Sequence, residues 1–429
     1  MEGVKMKIVT IGLGYIGLPT AIMFANYGQQ VIGVDVQSEV VNSLQEGQVH
    51  IEEPGLQEAL TRAISSENFK AQTQVEQADV FIVAVPTPNK EDRYKSCDLT
   101  YVISAVNSLI PFLEKGNTVI VESTIAPRTT EDVILPLIEE AGFKVGEDVF
   151  LVHCPERVLP GKILQELRYN NRIIGGVTEA CTKSGKEIYG IFVKGELISS
   201  SASAAELSKL MENTYRDVNI ALANELAKIG DTLAIDSLEV IEMANKHPRV
   251  NIHSPGPGVG GHCLAVDPYF ISSMAPTVTP LIQQAREINS TMPAFIVEKV
   301  EELMTKIDGK KITVLGVTYK GNVDDIRESP ALEIVDLLKE KSGYELSIFD
   351  PHVEKEWIEK EFKNAVINSD LLLVLTDHDE FKTIDVDQLV QMRQKVVFDT
   401  KNIFGRNPAI KLISLGSLAN IRDLNMNEK

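Results

Sequence analysis

The chain has 429 residues, of which 44% are hydrophobic and 24% are charged, and its formal net charge is −19. This length exceeds what one hydrophobic core organises and predicts two or three domains, while the composition excludes a disordered or membrane-embedded protein class. The acidic balance argues against a general nucleic-acid binder, because such proteins neutralise phosphates with lysine and arginine.

Short β-branched runs alternate with helical patterns in the first part of the chain. Candidate strands lie at residues 7–11, 30–35, 80–85, 118–122 and 149–153. A further run at residues 172–176 precedes a helical pattern that ends near residue 190. This alternation is typical of βαβ units around a parallel sheet, and it predicts a first domain over residues 1–200.

A glycine-rich turn, Gly12-Leu13-Gly14-Tyr15-Ile16-Gly17, follows the first strand, and Asp35 ends the second. Gly12 permits a tight turn, Gly14 lets backbone amides approach a pyrophosphate, and Gly17 allows close helix packing. A carboxylate at the second strand end accepts hydrogen bonds from ribose hydroxyls and repels a 2′-phosphate. The segment therefore predicts a Rossmann-like domain that binds NAD, with Tyr15 and Ile16 in the cofactor-binding turn.

Two later strand ends carry small polar groups. Pro86 and Thr87 follow the third strand candidate, and Ser123 and Thr124 follow the fourth. Ligands bind at the carboxyl edge of such sheets, so these four residues are further candidates for cofactor contact. The alternative is that they only form turns.

The middle of the chain is predicted to be helical. Residues 203–233 contain one glycine, and their apolar residues recur at spacings of three and four, which predicts one long helix. Further helices are expected over residues 237–245 and 280–306, giving a central domain over residues 201–307. Because the long helix is apolar around its circumference, we expect it to form the core of a two-fold dimer; burial within its own subunit is the alternative.

A glycine- and proline-rich loop separates these helices. Residues 255–267 read PGPGVGGHCLAVD, a composition that suits close approach of the backbone to a ligand and presentation of one thiol. Cys263 is therefore a candidate nucleophile, with Asp267 one helical turn further on. The alternative for Cys263 is a small buried hydrophobe.

The strand–helix alternation resumes at residue 311 and predicts a second sheet domain over residues 308–429. Strand candidates lie at residues 311–316, 345–349, 371–375 and 395–399, around helices such as residues 331–341. The first turn lacks a Walker lysine signature and is not a nucleoside triphosphatase loop. Lys320 and Arg327 suit a diphosphate, with plain surface charge as the alternative.

Several segments, in order along nearly the whole chain, resemble the UDP-glucose/GDP-mannose dehydrogenase family. They are GLGYIG, CPERVLPG from Cys154, ELSK from Glu206 leading to Asn213, GPGVGGHCLAVDPYF, and YKG with DIRESP from Tyr319 to Pro330. Within the family, GGHCL and PERVLPG are most similar to the branch that oxidises UDP-N-acetyl-D-mannosamine. The resemblance implies an α/β fold with two Rossmann-like doubly wound domains joined by a long central helix.

The resemblance also implies the reaction. A UDP-sugar would lose four electrons at C6 to become a uronic acid, giving two hydrides to two NAD⁺ molecules through a thiohemiacetal and thioester on Cys263. Lys209 and Asn213 would stabilise developing oxyanions. Asp267 and Glu156 would handle protons, assisted by Thr124 through a water, and which carboxylate is the base stays open.

The substrate contacts implied by the resemblance are spread over the chain. They are Glu156, Arg157, Val158, Lys209, Asn213, Gly260, Lys320, Arg327 and Arg249, the last reaching the sugar site of a neighbouring subunit. The C-terminal domain would hold the UDP moiety. His262 beside the nucleophile would either tune thiolate formation or orient the backbone.

The cysteines and the N-terminus bear on location. Cys97, Cys154, Cys181 and Cys263 lack CxxC pairs and Cys/His ligand spacing, so we expect neither a metal site nor a disulfide framework. No stretch reads as a signal peptide or a membrane span. We therefore expect a cytoplasmic protein with UDP-sugar and NAD as small-molecule partners and no nucleic-acid or membrane partner.

One departure from the family pattern bears on the sugar. Glucose-oxidising relatives carry a bulkier run ending in an acidic residue after the matching Pro-Glu, whereas Pro160 and Gly161 stand here. This favours a 2-acetamido sugar, UDP-N-acetylmannosamine first. UDP-N-acetylglucosamine, UDP-N-acetylgalactosamine and UDP-glucose remain alternatives, as do a single-oxidation hydroxyacid dehydrogenase and a catalytically silent nucleotide-binding regulator.

Overall fold

The computed structural model describes residues 5–261, 263–341, 343–422 and 424. His262 lies outside the described residues. The chain forms two compact units, Met1–Glu212 with Tyr269–Pro276, and Asn213–Pro268 with Thr277–Lys429.

The first unit is built on an eight-stranded sheet in the order β3-β2-β1-β4-β5-β6-β7-β8. Its strands are β1 (Lys7–Ile11), β2 (Gln30–Val34), β3 (Phe69–Gln72), β4 (Val80–Val83), β5 (Thr118–Val121), β6 (Phe150–His153), β7 (Arg172–Gly176) and β8 (Leu197–Ser201). Central strands such as Val80–Val83 are buried at every residue, which explains their continuous apolar runs. The predicted parallel sheet is wrong at one pair, because β7 runs antiparallel to β6.

Helices cover this sheet. They are α1 (Gly17–Asn26), α2 (Ser38–Gln45), α3 (Leu56–Ser65), α4 (Thr100–Leu109), α5 (Leu135–Glu140), α6 (Ile163–Tyr169) and α7 (Glu179–Tyr189). A π-helical turn, Thr130–Ile134, leads into α5. Apolar residues of strands and helices form one core, in which Phe24 and Phe192 pack edge to face at 4.8 Å between ring centroids.

The middle of the chain is helical. It contains α8 (Ala202–Leu233), α9 (Ser237–Asn245), α10 (Asp267–Met274), α11 (Pro280–Ser290) and α12 (Met292–Lys306). The long helix was predicted within one residue of its start. The single helix predicted over residues 280–306 is wrong: it breaks at Thr291, because Pro293 has no N–H to continue the hydrogen-bond ladder.

The second unit contains a five-stranded parallel sheet in the order β10-β9-β11-β12-β13. Its elements are β9 (Lys311–Leu315), α13 (Pro330–Glu340), β10 (Glu345–Phe349), α14 (Phe362–Ala365), β11 (Leu371–Val374), β12 (Val396–Asp399) and β13 (Lys411–Ser414). One apolar cluster packs α12 and α13 on this sheet, and a second surrounds Phe381 and Leu389. The predicted fold class, two Rossmann-like domains with a long central helix, is confirmed.

Among the residues that the structure describes, none of the helices has the length and apolar character that a membrane span requires.

Candidate active site

The turn between β1 and α1 has the shape of a dinucleotide cradle. Gly12 has φ +92°, and a Cβ placed there would lie 2.5 Å from the Ala84 carbonyl oxygen. A Cβ on Gly17 would lie only 1.9 Å from the Gly12 carbonyl oxygen, so the turn closes only with glycine at both positions. No described side chain caps α1 and no acidic residue lies in its first turn. The positive end of the helix dipole is therefore left for an anionic group such as a pyrophosphate.

Asp35 lies beside this turn. Its Oδ2 accepts the backbone N–H of Leu13 at 2.9 Å, and its Oδ1 accepts the backbone N–H of Gln37 at 2.9 Å. Two charge-assisted hydrogen bonds hold the carboxylate in one orientation at the end of β2. A fixed carboxylate at this place fits the ribose hydroxyls of NAD.

The loops after β4 and β5 are tied together. The Thr87 hydroxyl donates to the Thr124 carbonyl oxygen at 2.6 Å, and the Ser123 hydroxyl donates to the Val85 carbonyl oxygen at 2.7 Å. Pro86 is exposed between them. The four residues predicted at these strand ends thus lie at one edge of the sheet.

Glu156 is held inside the first unit just beyond β6. Its side chain is only 8% exposed, its Oε2 lies 2.9 Å from Arg172 Nη2, and its Oε1 accepts the backbone N–H of Arg157 at 2.5 Å. The Arg157 guanidinium donates to both carboxylate oxygens of Glu212 in α8, at 2.6 and 3.0 Å. Val158 is half-buried against the core. Sequence reasoning missed Arg172, which stands in a run that reads as an ordinary strand.

Lys209 lies in the first part of α8, half-buried. Its amino group forms no hydrogen bond or ion pair with the described residues. Three residues earlier, Glu206 accepts the backbone N–H groups of Arg128 and Thr130 at 2.6 and 2.8 Å and the Thr130 hydroxyl at 2.6 Å. Burial raises the pKa of Glu206 to about 7. This clamp fixes α8 against the segment that follows Thr124.

The cysteine loop carries an exposed cysteine four residues before a buried aspartate. Cys263 is exposed, and its carbonyl oxygen accepts the backbone N–H of Asp267 at 2.9 Å. Asp267, which begins α10, is 3% exposed, and one of its oxygens accepts the side-chain amide of Asn213 at 2.6 Å. Hydrogen bonds thus connect Cys263 to Asp267 and Asp267 to Asn213, and all three residues belong to the second unit.

The glycines of this loop let its backbone lie against the segment after β9. A Cβ on Gly260 would lie 2.2 Å from the Glu328 carbonyl oxygen and 2.6 Å from Pro330 Cδ. Upstream, the Gly256 N–H donates to the Asn224 side chain, whose amide donates to Asn289, both at 2.9 Å. The loop is fixed at both ends.

The remaining basic candidates differ in their surroundings. Arg327 donates two parallel hydrogen bonds to Asp325, at 2.7 and 2.8 Å, so its guanidinium is already paired with a carboxylate. Lys320 and Arg249 are exposed, and no described residue pairs with either side chain. Of the proposed catalytic residues, Thr124, Glu156 and Lys209 belong to the first unit, and Asn213, Cys263 and Asp267 to the second.

Among the described residues, one group of side chains converges as metal ligands could: His352, His378 and Glu380. His378 Nδ1 accepts the Asn322 N–H at 2.9 Å, and Nε2 lies 3.2 Å from Asp350 Oδ2. Both ring nitrogens are therefore engaged, with the proton on Nε2, and no lone pair is left for a cation.

Comparison with known proteins gives matches along most of the chain. Models of the UDP-glucose/GDP-mannose dehydrogenase family match in three segments: the NAD binding domain over residues 6–193, the central domain over residues 203–291 and the UDP binding domain over residues 313–406. The family resemblance drawn from the motifs is confirmed.

Individual relatives are similar over nearly their full length. The UDP-N-acetyl-D-mannosamine dehydrogenase of Methanococcus maripaludis is 49% identical over 410 residues, 94% of each chain. An NDP-N-acetyl-D-galactosaminuronic acid dehydrogenase from Ralstonia solanacearum is 41% identical, covering 92% of this chain and 96% of the relative. The native structure of the UDP-N-acetyl-mannosamine dehydrogenase from Staphylococcus aureus is 55% identical with a TM-score of 0.91, over 97% of this chain and 100% of that one.

Proposed function

This chain belongs to the UDP-glucose/GDP-mannose dehydrogenase family, and we propose that it oxidises the C6 alcohol of UDP-N-acetylmannosamine to a carboxylate through a thioester on Cys263. It is an NAD-dependent dehydrogenase whose NAD-binding segment covers residues 6–193 and whose UDP-binding segment covers residues 313–406. The observation that carries the mechanism is the exposed Cys263 thiol, one turn from the buried Asp267–Asn213 pair.

The proposed reaction balances as one alcohol, two NAD⁺ and one water giving one carboxylate, two NADH and three protons. NAD supplies the acceptor for one hydride in each of the two oxidations. The Cys263 sulfur adds to the aldehyde carbon formed first, giving a thiohemiacetal. Loss of the second hydride and the hydroxyl proton gives the thioester, and water then breaks the carbon–sulfur bond and returns the thiol.

The other proposed catalytic residues stabilise the negative charges that form in these steps, accept protons or position the water. Lys209, whose ammonium has no described partner, and Asn213 stabilise oxygen atoms that become negative. Asp267 and Glu156 are the two carboxylates proposed to accept protons, and Thr124 positions the water.

The binding roles follow the sites described above. Gly12, Gly14, Tyr15, Ile16, Gly17 and Asp35 hold NAD together with Pro86, Thr87, Ser123 and Thr124 at the sheet edge. Arg157, Val158, Gly260, Lys320, Arg327 and Arg249 hold the UDP-sugar, the last from a neighbouring subunit.

The choice of an acetamido sugar is supported by the loop after Glu156. Glu53, a buried carboxylate, accepts the backbone N–H groups of Gly161 and Ile163, both at 2.7 Å, and so fixes the loop without a side chain at Gly161. Residues 157–162, which follow Glu156, contain no acidic residue, whereas the family resemblance implies one in this run of glucose-oxidising relatives. The names of the relatives at 49% and 55% identity favour the manno configuration, and that of the relative at 41% favours the galacto alternative.

Initial rates with four UDP-sugars test this proposal. We expect kcat/KM for UDP-N-acetylmannosamine to exceed that for UDP-glucose at least about tenfold, because one well-placed contact discriminates by about 1–3 kcal/mol. Two NADH should form per sugar, with no aldehyde accumulating. Equal turnover of UDP-glucose would overturn the substrate, and preference for UDP-N-acetylglucosamine or UDP-N-acetylgalactosamine would move the stereochemistry.

We propose three domains, over residues 1–200, 201–307 and 308–429, and the matched family segments support this division. A dimer through α8 is supported by exposed apolar side chains spaced along it: Leu207, Met211, Leu222, Ile229 and Leu233. A cytoplasmic location is supported by the four cysteines, all within the described residues, which form no disulfide.

A further inference from the structure

A buried arginine links Glu156 to a second carboxylate that the proposed mechanism does not use. Arg172 Nη2 lies 2.6 Å from Glu122 Oε1 and 2.9 Å from Glu156 Oε2. The three side chains are 6%, 0% and 8% exposed. One guanidinium group is therefore shared by two carboxylates out of contact with water.

The sheet topology brings these groups together. Glu122 follows β5 and Glu156 lies three residues after β6, so both stand at the carboxyl edge. The antiparallel register of β7 pairs Gly175 with His153, and the same register extended by three residues places Arg172 opposite Glu156. Among the described strands of this sheet, the antiparallel pair β6–β7 thus places a cation at the carboxyl edge, where ligands bind in sheets of this kind.

Groups from three further parts of the fold lie against Glu122 and Arg172. Tyr189 of α7 donates to its Oε1 at 2.5 Å, Thr20 of α1 adjoins it, and Cys154 after β6 accepts Arg172 Nε at 3.0 Å. Burial raises the pKa of Cys154 to about 12 and the pKa of Tyr189 well above its ordinary value, so both are neutral. The charges left are one cation and two carboxylates.

This charge balance makes Glu122 the group that takes up a proton. Burial, opposed by Arg172 and reinforced by the charge of Glu156, raises the pKa of Glu122 to about 7. Its second oxygen, Oε2, accepts no hydrogen bond from the described residues, which leaves that atom for a proton.

We propose that Arg172 and Glu122 are positioning residues for Glu156: Arg172 fixes its carboxylate, and the ionisation of Glu122 sets how strongly Glu156 binds a proton. When Glu122 is neutral, Arg172 serves Glu156 alone and makes it a weaker base. When Glu122 is ionised, the guanidinium is divided between two anions and Glu156 becomes a stronger base. The inference rests on the proposed function in one respect, that Glu156 accepts a proton during turnover.

Glu122→Gln tests this, because glutamine resembles the protonated acid in shape and charge. We expect the ratio of wild-type to variant kcat to lie near one below neutral pH and to rise about threefold or more above it, as a general base of higher proton affinity is more effective. A purely structural defect would lower the variant rate by the same factor at every pH. A ratio that does not change with pH would overturn the proposal.

Glu206→Gln is the matched control. Glu206 is also buried with its pKa raised to about 7, but its partners are Arg128 and Thr130 rather than Arg172. The ratio of wild-type kcat to Glu206→Gln kcat should stay constant with pH. A rise like that of Glu122→Gln would overturn the proposal that Glu122 acts on Glu156 through Arg172. Should Glu122→Gln not fold, Tyr189→Phe removes a hydrogen bond that favours ionised Glu122, and the rise of its kcat with pH should lie at higher pH than the rise of the wild-type kcat. An unmoved rise would contradict the proposal.

An infrared titration of protonated carboxyl groups needs no sugar substrate. The Glu122 signal, identified by its loss in Glu122→Gln, should titrate near neutral pH and move to lower pH in Glu156→Gln, since coupling between two sites is reciprocal. A signal that does not move would overturn the coupling. If the wild type oxidises no UDP-sugar while this signal moves, the proposed function fails and the linkage stands.

Discussion

Gly260→Ala perturbs the cysteine loop at its closest approach to the segment after β9. The added Cβ would lie 2.2 Å from the Glu328 carbonyl oxygen, a distance that real Cβ atoms do not show, and the atom it meets is backbone. The backbone of Gly260 does not have a positive φ, so the strain comes from the clash alone. The loop must move by about 1 Å, and a misplacement of that size costs about 10²-fold in rate.

Steady-state kinetics and denaturant unfolding measure the two effects separately. We expect kcat/KM to fall about 10²-fold and the free energy of unfolding to fall by about 1–3 kcal/mol, as in overpacked interiors. NAD affinity should stay unchanged, because the Gly12–Gly17 turn belongs to the first unit.

Gly256→Ala is the control within the same loop. A Cβ at that position meets no heavy atom within 4 Å, and its φ is not positive. Its rate should stay near wild type and its stability within about 1 kcal/mol. If Gly260→Ala also kept the wild-type kcat/KM, the contact between the cysteine loop and Glu328 would have no part in positioning Cys263.

Three further predictions address the nucleophile, the cofactor and the assembly. Cys263→Ser should bind NAD⁺ and UDP-sugar by calorimetry as the wild type does and lose most turnover, because an alcohol is a far poorer nucleophile than a thiolate; near-normal acid production would remove the covalent mechanism. Asp35→Ser should raise the NADP⁺/NAD⁺ ratio of kcat/KM about tenfold or more, and efficient use of NADP⁺ by the wild type would contradict the interpretation of the β2 end. Light scattering at micromolar concentration should give a dimer for the wild type and a smaller species for Leu222→Glu; a wild-type monomer would exclude α8 as a dimer core.

The parts of the fold that were predictable are those with local signals. One local sequence pattern contains an apolar strand, the glycine turn Gly12–Gly17 and the acidic residue Asp35. The structure has the strand, the turn and the strand end at the predicted positions. The turn from Cys263 to Asp267 was predictable because the spacing of four residues is that of one helical turn, and the hydrogen bond between their backbones closes it at 2.9 Å.

What sequence reasoning missed depends on long-range pairing. A run such as Arg172–Gly176 predicts a strand but not its direction, because side-chain alternation is the same for parallel and antiparallel neighbours. The position of Arg172 opposite Glu156 depends on that direction. The Ser-rich edge strand Leu197–Ser201 has low β-propensity, and pairing with β7 outweighs it.

His153 gives a stability prediction whose sign follows from burial. It ends β6, is 1% exposed, and its Nδ1 accepts no hydrogen bond from the described residues. Burial lowers its pKa from 6.5 to about 3, opposed only by a hydrogen bond with the Val121 backbone. Below pH 6.5 the unfolded chain takes up a proton that the folded chain does not, so this contribution to stability is complete above 6.5 and is lost as pH falls toward 3.

The loss amounts to about 2 kcal/mol between pH 6.5 and pH 5, at 1.36 kcal/mol per pH unit. Glu122 and Glu206 titrate in the opposite sense, because their folded pKa values are raised and their contributions are lost as pH rises toward about 7. Both are present in wild type and in His153→Gln, so the difference between the two free energies of unfolding isolates His153. In denaturant titrations, the wild-type free energy of unfolding minus that of His153→Gln should fall by about 2 kcal/mol from neutral pH to pH 5. Parallel stability curves for the two proteins would mean that the folded chain already accommodates a charged imidazole at this position.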